Sequence, residues 1–139
     1  GICTLRPGIA GVSDNITVRS IVGRFLEHHR LFYFRNGGNE KIFLSSADWM
    51  PRNLNERVEL MIPIEDKRHK ARIKGILDLY LVDTLKAHLM RADGSYYKVS
   101  NIEGPLSAQE ELMEAANTQD SREQMTVIER FKPMFKMKE

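Results

Sequence analysis

The chain has 139 residues, of which 42% are hydrophobic and 29% are charged. This length suits one domain with a packed core, and no apolar run approaches the ~20 residues that a membrane span needs. The net charge of +2 implies no particular partner. The single cysteine, Cys3, excludes an internal disulfide, cannot build a metal site alone and fits a reducing compartment.

The beginning of the chain is predicted to contain a strand, a loop and a helix. It opens on GICTLRPG with no initiator Met, which we interpret as the start of a fragment of a larger protein. Ile2–Leu5 reads as a buried strand, and the Pro and Gly residues after it indicate a loop. A helix is expected from a cap at residues 13–15 to about His28, because apolar residues recur at helical spacing. That stripe consists of Val18, Ile21, Val22, Phe25 and Leu26.

A β-hairpin is predicted next. RLFYFRN, residues 30–36, alternates and is rich in aromatic residues, which favours a strand. NGGN, residues 36–39, can supply the positive φ angles of a hairpin turn. EKIFLSS, residues 40–46, is then the returning strand.

The segment after the hairpin is predicted to be irregular and then extended. Residues 47–56 read as irregular because Pro51 interrupts them. Residues 57–64 are nearly continuous in apolar side chains, which predicts a central strand covered on both faces. A long helix is expected from Asp66 to Lys86, with Asp66 at its positive end.

The last part of the chain is predicted to hold a second hairpin, a short helix and a tail. Residues 87–101 form a hairpin around an Asp-Gly turn. A Ser-x-x-Glu capping box at Ser107 and Glu110 begins the helix. The tail after residue 117 is expected to be partly helical or disordered.

This order of elements predicts an α/β fold, a mixed β-sheet flanked by helices. We expect residues 1–117 to form one partial domain and residues 118–139 to form a C-terminal tail. The first 57 residues carry seven Arg and one Lys against five acids. Guanidinium groups suit bidentate contact with phosphate or carboxylate, although ordinary surface charge is the alternative.

A cluster of polar residues around the hairpin suggests a phosphate site. His28 precedes the first strand, and its imidazole can act as a nucleophile or general acid near neutral pH. Arg30 lies on the same face of an extended chain. The hairpin should return Ser45 to a position beside Arg30, with Ser46 and Asp48 close by. Hydroxyls, a carboxylate and basic groups around one histidine would bind phosphate and could transfer or protonate it.

A structural role is the alternative for each histidine. A histidine at a helix C-terminus is favoured by the helix dipole without any chemistry. His29 is left with that interpretation. His69 and His88 have no clustered partners in the sequence, so structural roles are expected for both.

The pattern His-x-Arg, two strands and Ser-Ser-Ala-Asp resembles the second motif of the phospholipase D superfamily, which reads His-x-Lys, an Asp and Gly-Ser-x-Asn. Arg30 stands in place of the Lys, and residues 45–48 stand in place of Gly-Ser-x-Asn. A diesterase or nuclease of that superfamily normally pairs two such motifs, and one is present. The departures resemble one branch instead, the C-terminal domain of the bacterial polyphosphate kinase family. LRPG, RSIVGRFLEH and SSADWM-x-RN carry this resemblance, which is strong to about Lys86 and looser to about Ala116.

The resemblance implies roles for seven residues. His28 would be the second of two active-site histidines. The first, which carries the phosphoryl group, belongs to a preceding domain. Arg57 would contact the phosphates of the nucleotide. The remaining five are expected to bind nucleotide or phosphate, directly or by support and positioning of the phosphates: Arg30, Ser46, Asp48, Arg52 and Asn53.

The resemblance also implies a kinase that makes inorganic polyphosphate from ATP. The expected partners are ATP or ADP, polyphosphate, the upstream domains of the same chain and further copies in a homo-oligomer. Mg²⁺ would serve the full enzyme through contacts mainly outside this segment, and no metal ligand is expected here. The expected location is the cytoplasm, with the inner-membrane surface as a peripheral site.

The alternative function is a degenerate phospholipase D-like module that binds phosphate or nucleic acid without catalysis. Arginine patches serve nucleic acid equally well. However, Phe32, Tyr33 and Phe34 are expected to alternate into a core rather than to form a stacking platform, so no nucleic acid partner is predicted.

Overall fold

The computed structural model describes residues 5–99 and 104–117. The strands there are β1 (Arg19–Ile21), β2 (Arg30–Phe34), β3 (Lys41–Ser45), β4 (Met61–Pro63), β5 (Ala87–Met90) and β6 (Tyr96–Lys98). The helices are α1 (Pro51–Glu56), α2 (Lys67–Val82) and α3 (Ala108–Asn117). Of the strand predicted at Ile2–Leu5, only Leu5 is among the described residues. The predicted tail from residue 118 lies outside them, and the domain boundary at residue 117 stays a prediction.

The chain divides into two compact units, each with its own three-stranded sheet. The hairpin unit, Leu26–Asp78, contains the sheet β2–β3–β4. The terminal unit comprises the described residues of Gly1–Phe25 and Leu79–Glu139 and contains the sheet β1–β5–β6. All strand pairings in the described residues are antiparallel. Helices and strands are both present, so the α/β class is confirmed, with two small antiparallel sheets in place of one mixed sheet. Short connections favour the antiparallel pairing of β2 with β3 and of β5 with β6.

The prediction of a helix that ends near His28 is wrong. Residues 10–15 form turns, and Arg19–Ile21 forms β1, which pairs with β5 in the register Arg19↔Leu89. β-Branched residues are frequent in this segment and favour a strand once a sheet partner is present. The expected apolar stripe does not form a buried face, because Val22, Phe25 and Leu26 are all exposed.

A close contact with α3 holds the chain after β1. The buried Gln109 donates from its side-chain amide to the carbonyl of Phe25 at 2.8 Å, and its Oε1 accepts from the amide of Phe25 at 3.1 Å. A Cβ on Gly23 would overlap the carboxamide of Gln109. The backbone of Phe25 therefore bonds to a side chain that is distant in sequence, and not to helical neighbours.

Two predictions for the segment after the first hairpin are also wrong. Pro51–Glu56 forms α1, with Pro51 in its first turn, where a missing N–H is tolerated and the fixed φ suits a helix. β4 lies at the edge of its sheet, and its Met61 and Ile62 are exposed. An edge position suits this strand because Pro63 cannot donate a hydrogen bond to a second neighbour.

The first hairpin is confirmed. β2 and β3 pair antiparallel, from Arg30↔Ser45 at the open end to Phe34↔Lys41 near the turn. The turn residues have positive φ angles of 46°, 61° and 96° at Asn36, Gly37 and Gly38. Glycine adopts such angles without steric cost, so the Asn-Gly-Gly sequence determines the position of this turn.

The long helix starts where predicted and ends four residues earlier. Oδ1 of Asp66 accepts hydrogen bonds from the amides of Arg68 at 2.9 Å and His69 at 3.0 Å, which caps α2. These bonds, that to His69 foremost, hold the pKa of Asp66 below its ordinary value. The helix ends at Val82. None of the helices in the described residues has the length and apolar character that a membrane crossing requires.

A buried carboxylate organises the terminal unit after α2. Asp83 is fully buried, and its two oxygens accept from the amides of Lys86 and Ala108, each at 2.8 Å. The second of these bonds satisfies a free N–H at the start of α3. Leu79 and Leu106 pack with Ala108 in the core beside it.

The second hairpin and the last helix are confirmed. β5 pairs with β6, and Gly94 has the positive φ, 86°, that its turn requires. The hydroxyl of Ser107 accepts from the amide of Glu110 at 3.5 Å, which supports the predicted cap of α3.

An ionic contact ties α2 to the hairpin within the hairpin unit. Oε1 of Glu40 accepts from Lys74 Nζ and from the hydroxyl of Tyr33, both at 2.6 Å. The bonds from Lys74 and Tyr33 lower the pKa of Glu40, and the same contacts raise the pKa of Lys74 and of Tyr33. Glu40 therefore remains ionised at a lower pH than an ordinary glutamate.

We predict that Gly23→Ala lowers the free energy of unfolding by about 1–3 kcal/mol, because the added Cβ displaces the carboxamide of Gln109 from Phe25. A urea-unfolding cycle with Gln109→Ala tests the cause. In the Gln109→Ala background the same glycine substitution should cost less than about 0.5 kcal/mol, since the clashing group is gone. Additive effects of the two substitutions would contradict this explanation.

We predict that Glu40→Gln lowers stability at pH 7 by about 0.2–1 kcal/mol, a value discounted for the partial exposure of the pair. Because folding lowers the pKa of Glu40, its contribution is full above the ordinary value of 4.5 and disappears as the pH falls through the folded pKa. Urea unfolding from pH 7 to pH 3 should show the difference from the parent chain shrinking to zero. Glu65→Gln, at an exposed glutamate, is the control. A difference for Glu40→Gln that persists at pH 3 would reject the ion pair as its source.

Candidate functional site

The open end of the β2–β3 hairpin brings four of the predicted polar residues together. Arg30 is the first residue of β2 and pairs directly with Ser45, the last residue of β3. His28 lies two residues before β2, and Asp48 lies three residues after β3. The predicted return of residue 45 to the side of residue 30 is therefore confirmed.

An arginine–aspartate ion pair lies at the centre of this group. Arg30 Nε donates to Oδ1 of Asp48 at 2.8 Å, and Nη2 donates to the same oxygen. Nη1 of Arg30 donates to the backbone carbonyl of His28. The guanidinium therefore connects three points of the chain, the approach to β2, β2 itself and the segment after β3. This pairing was not predicted from the sequence, although the hairpin register could have suggested it.

The imidazole of His28 is exposed and lies outside any helix. The prediction that His28 lies at a helix C-terminus is wrong. A helix dipole therefore does not explain the position of this histidine. Within residues 5–99 and 104–117 its ring has no hydrogen-bond or ion-pair partner. An exposed imidazole with a fixed backbone carbonyl is available to a ligand from solvent.

The other histidines have structural contacts. Nε2 of His29 lies 3.4 Å from the carboxylate of Glu27. His69 donates its amide to Asp66 in the cap of α2, and Nδ1 of His88 lies 3.0 Å from the carbonyl of Lys86. These contacts agree with the structural roles expected from the sequence.

Ser46 links β3 to the segment that precedes β4. Its hydroxyl donates to Oε2 of Glu59 and accepts from the amide of Leu60 at 3.0 Å. Its own amide donates to the carbonyl of Leu60 at 3.0 Å. Sequence reasoning missed the role of Glu59, because nothing in the spacing indicates which carboxylate would reach this hydroxyl.

The remaining three predicted residues lie in the short helix α1 or directly after it: Arg52 and Asn53 are in the helix, and Arg57 is its C-cap residue. Arg52 and Arg57 are exposed, and neither guanidinium has a partner among the residues that the structure describes. Asn53 is buried, and its Oδ1 accepts no hydrogen bond from that part of the chain. A buried acceptor without a donor is costly, which makes Asn53 the polar group here most in need of a partner. No described contact joins these three residues to His28.

Aromatic stacking supports the turn between β3 and α1. The rings of Phe32 and Trp49 stack with centroids 5.3 Å apart, while Trp49 itself remains 75% exposed. Phe34 is also exposed, and its ring meets Phe43 edge to face. The prediction that the three aromatic residues of β2 all enter a core is therefore wrong for Phe34, because it lies at the turn end of a narrow sheet.

No metal site is formed by the part of the chain that the structure describes. No three His, Cys, Asp or Glu side chains lie together there as metal ligands. The described residues therefore do not fit Mg²⁺ by themselves.

Comparisons with known proteins identify the family. The protein-family model described as "Polyphosphate kinase C-terminal domain 2" matches residues 1–109. The polyphosphate kinase of Pseudomonas aeruginosa is 54% identical over 116 residues, which cover 82% of this chain and 17% of that relative. The polyphosphate kinase of Bacillus anthracis is 57% identical over 101 residues, which cover 73% of this chain and 14% of that relative.

The fold comparison agrees with the sequence comparison. The crystal structure of polyphosphate kinase from Porphyromonas gingivalis matches with a TM-score of 0.80 and 36% identity, covering 91% of this chain and 19% of that one. The chain thus spans less than a fifth of the length of each of these three proteins. Because the family model covers most of the sequence and the structural match covers nearly all of it, the chain belongs to the polyphosphate kinase family, where it corresponds to the second C-terminal domain.

Proposed function

We propose that this chain is the C-terminal catalytic segment of a polyphosphate kinase, which transfers the γ-phosphoryl group of ATP to inorganic polyphosphate. The observation that carries the proposal is the family match over residues 1–109, since this span includes the whole candidate site from His28 to Arg57. The isolated segment is expected to be inactive or nearly so, because the histidine that carries the phosphoryl group lies on another domain.

The proposed reaction consists of two phosphoryl transfers. In the first, the histidine on the other domain attacks the γ-phosphorus, an N–P bond forms, the bond to the bridging oxygen breaks, and ADP leaves. In the second, a terminal oxygen of polyphosphate attacks the same phosphorus and the N–P bond breaks. The phosphoryl group passes through a charged, in-line transition state, so catalysis depends on positioning and on positive charge.

His28 is assigned the role of the histidine opposite the nucleophile. Its exposed imidazole can protonate the leaving oxygen of ADP or hold the pentavalent geometry by hydrogen bonding. We expect it to act as an imidazolium in the first step.

Arg57 and Arg52 are assigned to the phosphates. Both guanidiniums are exposed and have no partner among the described residues, so neither must break an ion pair in order to bind an oxyanion. A guanidinium can span two phosphate oxygens, which a lysine cannot do. Ser46 and Asn53 are assigned supporting roles in the same segment, where Asn53 Oδ1 is the acceptor that still lacks a donor.

Mg²⁺ is proposed only for the complete kinase. When bound it would neutralise charge on the nucleotide phosphates. The described residues offer no ligand cluster for it, so every step assigned to them is hydrogen bonding or proton transfer. Homo-oligomer formation likewise stays a prediction of the resemblance.

We predict that His28→Ala in the complete kinase lowers kcat for polyphosphate synthesis by ~10²- to 10⁴-fold, the usual contribution of a general acid. The neighbouring substitution His29→Ala is the matched control and should stay within about threefold of the parent, since His29 pairs with Glu27. Synthesis is followed by release of ADP and by the length of the polymer. Activity of His28→Ala equal to that of the parent would remove the assigned role.

We predict that polyphosphate displaces ATP from the complete kinase and that oligonucleotides of equal charge do not. The substitution Arg57→Gln should weaken the binding of ATP by roughly 10- to 100-fold, because a charged hydrogen bond to phosphate is worth about 1.5–3 kcal/mol. Arg35→Gln, at an exposed arginine of the hairpin turn, is the matched control and should leave binding unchanged. Equal displacement by oligonucleotides would favour the non-catalytic binding module instead.

A further inference from the structure

We propose that Arg30 is a positioning residue that holds the backbone of His28, with Asp48 as its anchor, and that it does not itself bind phosphate. This inference rests on the proposed function, because it assigns Arg30 a task in the site of His28. It differs from the phosphate-binding role that the resemblance implies for Arg30 and Asp48.

Three of the five N–H donors of the Arg30 guanidinium, one on each nitrogen, are already used within the protein. The edge formed by Nε and Nη2 is the one that can bind an oxyanion with two parallel bonds, and here both groups donate to Oδ1 of Asp48. Nη1 donates to the carbonyl of His28. A phosphate would have to displace the Asp48 carboxylate to gain the same two bonds. It need displace no described residue from Arg52 or Arg57, whose guanidiniums have no partner in residues 5–99 and 104–117.

Within the described residues, no other hydrogen bond is made to the backbone of His28. Residues 26–29 belong to no helix or strand, and His28 itself is exposed. His28 has no backbone hydrogen bond to a helix or sheet neighbour there, and the bond from Arg30 Nη1 is the one contact that fixes its carbonyl. Because Arg30 is itself part of β2, this bond transfers the rigidity of the sheet to an otherwise exposed segment.

The charge of Asp48 also decides between the two roles. Asp48 carries a negative charge at the edge of a site for polyanions, and the ion pair with Arg30 neutralises it. If Arg30 bound phosphate directly, Asp48→Asn would free its guanidinium and tighten substrate binding. If Arg30 positions His28, the same substitution loosens the anchor and lowers kcat, with little change in KM.

The kinetic test compares four variants of the complete kinase: Arg30→Gln, Arg30→Lys, Asp48→Asn and the double variant Arg30→Gln/Asp48→Asn. Each single substitution should lower kcat by roughly 10- to 100-fold, the usual result of a small displacement of a catalytic group, while KM for ATP and for polyphosphate stays within about twofold. Lysine should fail to rescue, because one ammonium cannot reproduce the guanidinium fork. The double variant should be no slower than Arg30→Gln alone, since both substitutions remove the same contact. Arg35→Gln is the control and should match the parent.

Three results would overturn the inference. The first is a tenfold or larger rise in KM for ATP or polyphosphate with unchanged kcat in Arg30→Gln. The second is a lower KM in Asp48→Asn, and the third is full activity in Arg30→Lys. Asp48→Asn nearly preserves shape, so it remains informative if an Arg30 variant fails to fold.

A second measurement does not depend on activity. In the parent 139-residue chain, NMR should show a slowly exchanging Nε–H signal for Arg30, which Asp48→Asn removes. Arg30→Gln and Asp48→Asn should both shift the carbonyl ¹³C resonance of His28, whereas Arg35→Gln should not. If the complete kinase made no polymer, the proposed function would fail while this readout remained valid. If neither substitution shifted the carbonyl ¹³C resonance of His28, the inference about Arg30 would be overturned and the proposed function would still stand.

Discussion

The antiparallel register of β2 and β3 is the constraint on which the candidate site depends. Pairing Arg30 with Ser45 brings the start of one strand to the end of the other, and so brings Asp48 within reach of the guanidinium. A shift of one residue would turn every side chain of the strand to the opposite face and separate these groups. The glycines of the turn determine this register, because their positive φ angles allow the reversal at one position.

Charge is distributed unevenly around that hairpin. Arg30 is neutralised by Asp48 and contributes rigidity. Arg52 in α1 and Arg57 directly after it are exposed, and their guanidiniums have no partner among the described residues. A paired arginine such as Arg30 suits the task of holding another residue in place. Exposed arginines such as Arg52 and Arg57 suit contact with a mobile polyanion. A site that transfers a phosphoryl group needs both, since the reacting groups must be aligned and the oxygens must be stabilised.

Local patterns were reliable where neighbouring residues alone determine the conformation. Both hairpins, the cap at Asp66 and the start of α3 at Ser107 follow from turn and capping chemistry within a few residues. The prediction of a helix that ends near His28 was wrong, because part of that segment forms β1 and pairs with β5. The backbone of Phe25 also hydrogen-bonds to the side chain of Gln109, 84 residues later. Nothing near Phe25 in the sequence indicates that side chain.

The sequence by itself determined the family, the hairpin and the residue types at the site, because motif identity and turn chemistry are properties of short segments. Only the tertiary structure decided that β4 is an edge strand, that residues 51–56 form a helix, and that Arg30 donates to both Asp48 and His28. These features depend on which groups meet across space. An arginine has the same composition and spacing whether its donors face a phosphate or an internal carboxylate, so its partner becomes known only when the chain is folded.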